Sequence, residues 1–321
     1  MRLATLAAGG RDGTLIVVSK DNTRYLAGGA VAATMQDSLD RWNEVEASLR
    51  AISARVTNGE GEPLAGRRFA APLPRAWQWL DGSAFPSHGE LMEKMLGIEP
   101  VPRETPLMYQ GMSHQFLSPT DDVPTPDEAL GIDFEGEFAV IVDEVPMGIS
   151  AADALSHIKL IAQVNDWSLR TLAGPEMKTG FGWVQAKPAC SAAPVVITPD
   201  ELGEDWSDGR VCLNLAVEWN GQRFGNAHGG AMGFGFHQLV AHAARTRCLC
   251  AGTIIGSGTV SNANFREIGS SCIAERRGIE VVDEGKARTP YMRFGDTVRM
   301  EARRADGRPL FGQIHQKVVK A

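Results

Sequence analysis

The sequence predicts an α+β fold, with a small N-terminal α/β unit over residues 1–74 and a larger, strand-rich domain over residues 75–321. Two observations predict the class: short β-branched or apolar runs outnumber helical stretches, and the helices are few and separated. Regular strand–helix alternation would instead point to a doubly wound parallel sheet. A third observation sets the division, since the proline-containing stretch Ala71-Pro72-Leu73-Pro74 reads as a linker. The 321 residues suffice to bury one large core and a smaller one.

In chain order, Leu15 to Val18 reads as a strand, Asp21-Asn22 as a turn, and Arg24 to Ala27 as the returning partner of a hairpin. Met35, Leu39, Trp42, Leu49, Ile52 and Val56 then recur on one helical face, and Gly59, Gly61 and Pro63 end that helix. Leu91, Met92 and Met95 mark a helix beginning near His88. Later strands are expected over 134–142, 159–165, 194–197, 211–219, 253–255 and 297–303. One helix follows Ser150, where Asp153 completes something close to a capping box. Another runs from about Phe236 to Arg247, with Phe236, Leu239, Val240 and Ala243 on one face.

Bulk chemistry excludes several functions. The formal net charge is −7 with both signs interspersed, and no Lys/Arg run suggests nucleic-acid binding. No stretch of 18 apolar residues occurs, so no membrane span is expected. The first ten residues reach Arg11-Asp12-Gly13 too soon for a secretory signal. Five cysteines, at 190, 212, 248, 250 and 272, read as reduced core thiols of a cytoplasmic protein. Cys248 and Cys250 form a C-x-C pair without a second pair at zinc spacing.

The chemistry concentrates in Asp133-Phe134-Glu135-Gly136-Glu137-Phe138. Period-two geometry puts Glu135 and Glu137 on one face, with Cα atoms roughly 6–7 Å apart, while Phe134, Phe138 and Val140 line the other. Two like charges on an apolar strand require either water or a cation. A hard divalent ion takes carboxylate oxygens, and a solvated strand face serves equally well. Asp166, where an apolar strand ends, is a second candidate ligand or an ordinary cap.

Six segments, in order and near the right spacing, make the chain resemble the fumarylacetoacetate hydrolase family from about Pro72 onward. They are residues 81–88 (DGSAFPSH), 133–137 (DFEGE), 165–170 (NDWSLR), 185–188 (QAKP), 256–261 (GSGTVS) and 270–276 (SSCIAER). The resemblance implies a mixed β-roll catalytic domain, a smaller N-terminal domain and a homodimer. It implies a divalent metal, Mg²⁺ first, with Mn²⁺ or Ca²⁺ as alternatives, held by Glu135, Glu137 and Asp166. Asp81 matches an upstream ligand of some members, although Asp81-Gly82 is also a turn signal.

By the same resemblance His88 is the general base, and Glu275 is the carboxylate that orients it. Another branch of the family orients its histidine with a glutamate three residues later; that position is Leu91 here, with Glu90 beside it. Lys187, Arg170 and Thr259 match substrate-contacting positions. Two departures bear on specificity: Ser83 replaces a tyrosine, and Ala173 replaces a glutamine. The glycine-rich segment 252–259 lacks the ending of a phosphate loop and reads as a tight turn. The run 225–235, including His228, reads as a loop, and His114, His237 and His242 as structural or surface residues.

The expected substrate is therefore a small dicarbonyl or 2-oxo acid. Hydrolytic C–C cleavage of an acylpyruvate-type compound such as fumarylacetoacetate leads; decarboxylation, hydration or isomerisation on the same metal is the alternative.

Overall fold

The computed structural model describes residues 1–97, 99–100 and 103–321. The chain opens with strands β1 (Arg2–Leu6), β2 (Thr14–Val18) and β3 (Arg24–Ala27), then helices α1 (Met35–Asp40) and α2 (Trp42–Thr57). Next come β4 (Trp79–Gly82), α3 (Pro86–Leu96), β5 (Met108–Gly111), β6 (Val123–Thr125), β7 (Gly136–Val142) and β8 (Ile158–Asn165). Helix α4 (Arg170–Met177) is followed by β9 (Val195–Ile197), β10 (Asn214–Trp219), β11 (Gln222–His228), α5 (Phe236–Ala243) and β12 (Ile254–Gly256). Helix α6 (Ile273–Glu284) and strands β13 (Thr297–Arg303) and β14 (Ile314–Lys320) complete the framework.

Two sheets dominate. An eleven-stranded sheet runs from the short strand Glu62–Pro63 through β3-β2-β1-β9-β8-β7-β12-β4 to β5, with Ser191–Ala192 added on β8. A five-stranded sheet has the order β11-β10-β13-β14-β6. Among the described residues of the large sheet, only β12 and β4 pair in parallel, as expected for α+β rather than doubly wound architecture. The N-terminal strands are part of this sheet, joined through β1 and β9 with Leu3 opposite Val196.

The sheet is apolar on both faces. Phe138, Val140, Ile161, Leu215, Val217 and Met300 fill the larger core. Ala139, Ile141 and Leu160 belong to a second core with Leu15, Val17 and the α1–α2 residues Met35, Leu39, Trp42, Leu49 and Val56. The helical face over 35–56 is thus real, but two helices build it. Arg41 leaves helical geometry, with φ −121° and ψ 29°. Gln163 clips the sheets together: its amide donates to the Met300 carbonyl (3.0 Å) and accepts from the Ala302 N–H (2.8 Å).

Some expectations are corrected in detail. Residues 222–228 form β11 rather than a loop, with a short 3-10 turn at Gly229–Ala231. Helix α5 stops at Ala243, short of Arg247. Asp81-Gly82 is strand, not turn. All five cysteines are free, but Cys248 and Cys250 are exposed rather than core residues. Among the described residues no helix is long and apolar enough to cross a membrane.

Candidate metal centre

Three carboxylates from three places in the large sheet converge. Asp81 stands on β4, Glu137 on β7, and Asp166 immediately after β8. Each offers an oxygen within 4.8 Å of the others, and all three residues are buried. Backbone pairing fixes the arrangement, because β12 lies between β7 and β4 with Gly256 opposite both Ala139 and Asp81. Asp166 is held by its N–H, which donates to the Glu135 carbonyl (3.0 Å), while the Glu135 N–H donates to Asn165 Oδ1 (2.9 Å).

Gly256 makes the approach possible. A Cβ there would lie 2.2 Å from Asp81 Oδ1 and 2.4 Å from the Trp79 ring. Gly258, at φ +77°, turns the chain so that its N–H donates to Asp81 Oδ1 (3.1 Å). The expected tight turn is therefore also a loop that orients the Asp81 carboxylate. Thr259 follows it and is buried.

The electrostatics are those of anions without enough partners. Glu137 is 0 % exposed and no N–H or hydroxyl donor reaches either of its oxygens; the polar group it meets is the Asp81 carboxyl. Burial, then the Asp81 and Asp166 charges, pushes Glu137 well above the usual carboxylate range. Burial and the Asp166 charge do the same to Asp81. Asp166 is raised by burial against the pull of Lys187. Three hard oxygen donors, one with no N–H or hydroxyl on either oxygen, suit a divalent cation. The solvated alternative fails, because this strand face is buried.

Glu135 stands outside the converging trio. Its carboxylate accepts from Lys187 Nζ (2.5 Å) and from the Arg170 guanidinium (2.6 Å). Burial alone would raise it, but the Arg170 and Lys187 charges outweigh that and hold it below the usual range. Lys187 also donates to Asp166 Oδ2 (2.6 Å), and Arg170 to Asp133 Oδ2 (2.8 Å). Burial would lower the Lys187 ammonium, but Asp166 and Glu135 raise it. Charges thus alternate through Asp133, Arg170, Glu135, Lys187 and Asp166.

His88 lies in the first turn of α3, behind Pro86. Its Nδ1 faces Glu275 Oε1 at 3.7 Å and has no hydrogen bond. Glu275, on α6, is fully buried and accepts from Ser261 Oγ; Ser261 Oγ also meets Ser87 Oγ at 2.8 Å. Asp133 anchors that helix by accepting from the N–H groups of Ile273 and Ala274 (2.7 and 2.9 Å), where the helix dipole favours an anion. Leu91 is buried in a small cluster with Phe265 and Ile279.

Several contributors escape a reading of the sequence. Tyr109 donates to Asp166 Oδ2 (2.5 Å) from β5, and Cys190 to Asp166 Oδ1 (2.9 Å). Asp133 and Ser261 lie inside the recognised segments but were given no role there, and Trp183 had no motif to mark it. A strand-edge tyrosine and a lone cysteine become visible only once β5 is paired beside β4.

Comparison with known proteins places this geometry in context. Residues 78–319 match the fumarylacetoacetate (FAA) hydrolase C-terminal family model, and residues 1–75 match fumarylacetoacetase N-terminal domain 2. A 2,4-didehydro-3-deoxy-L-rhamnonate hydrolase of Sphingomonas sp. (strain SKA58) is 28% identical over 163 residues, 50% of this chain and 54% of that protein. A mitochondrial oxaloacetate tautomerase of Xenopus laevis is 26% identical over 163 residues, 50% of this chain and 49% of that one. The chain spans about half the length of these curated relatives. The crystal structure of maleylpyruvate hydrolase from Sphingobium sp. SYK-6, in complex with manganese(II) and pyruvate, superposes with a TM-score of 0.68. That match is 17% identical and covers 100% of both chains.

Proposed function

Because the chain belongs to the fumarylacetoacetate hydrolase family, we propose that it cleaves a carbon–carbon bond in a small 1,3-dicarbonyl or acylpyruvate-type acid by attack of water. The observation that carries this reading is the convergence of Asp81, Glu137 and Asp166, buried and with no N–H or hydroxyl donor on either Glu137 oxygen. These three residues would hold the metal, with Mg²⁺ or Mn²⁺ suited to the oxygen set. When bound, such an ion polarises a carbonyl oxygen and stabilises enolate charge.

The chain's own groups supply the proton chemistry. His88 takes a proton from water at Nε2, while Nδ1 is turned toward Glu275. Glu275 stabilises the resulting imidazolium, and Ser261 fixes the carboxylate in place. Lys187 offsets negative charge on the substrate head group. Arg170 acts one step back: by pairing with Asp133 and Glu135 it keeps Glu135 anionic and Lys187 aimed at the cluster. Thr259, buried on the loop after β12, would contact the substrate. A cytoplasmic homodimer belongs to the same reading.

The test follows the dicarbonyl absorbance of an acylpyruvate with Mg²⁺ or Mn²⁺ present. His88→Ala is expected to slow its loss about 10²–10⁴-fold; unchanged turnover would remove His88 from the scheme. A second reading draws on the tautomerase relative: the same site could move a proton on a 2-oxo acid, or release CO₂, without water attack. Product analysis on acylpyruvates against oxaloacetate separates the two.

A further inference from the structure

We propose that Trp183 and Tyr109 form a wall beside this carboxylate cluster that selects substrates whose far end is planar and apolar rather than a second carboxylate. The proposal rests on the cleavage reading above and specifies its substrate class.

Tyr109 lies directly across from Asp81 in the β4–β5 register, so both side chains share one face. Its hydroxyl reaches Asp166, and its ring meets Trp183 edge to face, with centroids 4.8 Å apart and planes at 76°. Lys187 Nζ lies 5.3 Å from the Tyr109 ring centre and 5.5 Å from that of Trp183. Because that ammonium also bonds Glu135 and Asp166, the two rings stand over the edge of the carboxylate cluster.

The wall is fixed before any substrate arrives. Trp183 Nε1 donates to the Ala173 carbonyl on α4 (3.0 Å). The Glu176 carboxylate gathers the N–H groups of Val184, Gln185 and Ala186, at 3.1, 2.9 and 3.0 Å. Outward from Trp183 the same loop carries Phe181, 97 % exposed, and Val184, 82 % exposed. Phe181 sits between two left-handed glycines, Gly180 (φ 75°) and Gly182 (φ 93°). The loop thus presents apolar surface from the cluster's edge out to solvent.

Charge argues in the same direction. Lys187 already serves two carboxylates, and Arg170 serves Asp133 and Glu135. Lys187 keeps one N–H donor, which the reading above gives to the substrate head group, and Arg170 is committed to the two carboxylates behind it. A distal carboxylate would be desolvated against ring faces, a costly placement without a paired cation. A flat conjugated or aromatic tail would instead stack against the ring pair.

The test uses the full-length protein with Mn²⁺ and two acids sharing one reacting head, benzoylpyruvate and fumarylpyruvate. The wild type is expected to favour benzoylpyruvate in kcat/KM by at least about tenfold, the scale of discrimination an apolar pocket provides. Trp183→Ala should erase most of that preference through KM, with kcat changed little, and Trp183→Phe should retain it. Calorimetric binding of both acids to the Mn²⁺-loaded protein gives a second readout. Equal or reversed preference, in turnover or in binding, would overturn the proposal, as would a Trp183→Ala loss falling equally on both acids. Selective binding of benzoylpyruvate with no cleavage of either acid would instead overturn the cleavage reading and leave the wall standing.

Discussion

Replacing Glu137 with glutamine keeps the side chain's shape while removing one of three converging charges. No N–H or hydroxyl donor reaches either Glu137 oxygen, and burial together with Asp81 and Asp166 disfavours its charged form. The substitution is therefore expected to abolish metal-dependent activity without lowering the thermal midpoint of chelator-treated protein. A fall of several degrees in that midpoint would show that Glu137 stabilises the fold by a contact of its own. Gly256 gives the complementary case. Alanine there would strike Asp81 Oδ1 and the Trp79 ring, so Gly256→Ala should cost about 1–3 kcal/mol, as overpacking does. It should also weaken divalent-ion affinity by displacing Asp81. Urea unfolding and a metal titration measure the two effects, and wild-type values in both would contradict the close approach described here.

At the scale of elements, the clip between β8 and β13 bears most directly on how the carboxylate cluster is held. Gln163 satisfies a carbonyl and an N–H of β13 from inside the core. Gln163→Leu leaves both unbonded and is expected to destabilise the protein by about 2–4 kcal/mol, the combined cost of two buried unsatisfied groups. A change under about 0.5 kcal/mol in urea unfolding would mean the backbone finds other partners. Such long-range clips also explain what the sequence left unread. The strands over 24–27 and 297–303 and the helical face over 35–56 were legible because their periodicity is local. The pairing of Glu135 was not: period two places it with Glu137, yet β7 begins only at Gly136, and two cations from 35 and 52 residues away meet its carboxylate. Asp81 read equally well as a turn residue, because its strand is defined by partners at 108–111 and 254–256. Motif order marked Asp166 and His88 as candidates. Only strand pairing could reveal that Tyr109 and Cys190 bracket Asp166.

For the molecule as a whole, the eleven-stranded sheet carries the N-terminal strands and the site strands in one hydrogen-bonded ladder. The second core likewise joins α1 and α2 to β7 and β8. Calorimetry should accordingly record one cooperative unfolding transition; two well-separated transitions would mean that the N-terminal unit is thermally independent. An ion that binds only the folded chain should raise its stability by about 2.7 kcal/mol at a hundredfold excess over Kd.

The most direct measurement is a Mn²⁺ titration of chelator-treated protein followed by electron paramagnetic resonance, on the wild type and on Asp166→Ala. One tight ion per wild-type chain, lost in the variant while far-UV circular dichroism is unchanged, is the expected result. Tight uptake that persists without the Asp166 carboxylate, or no tight uptake by the wild type, would contradict the assignment of this buried trio as a metal centre.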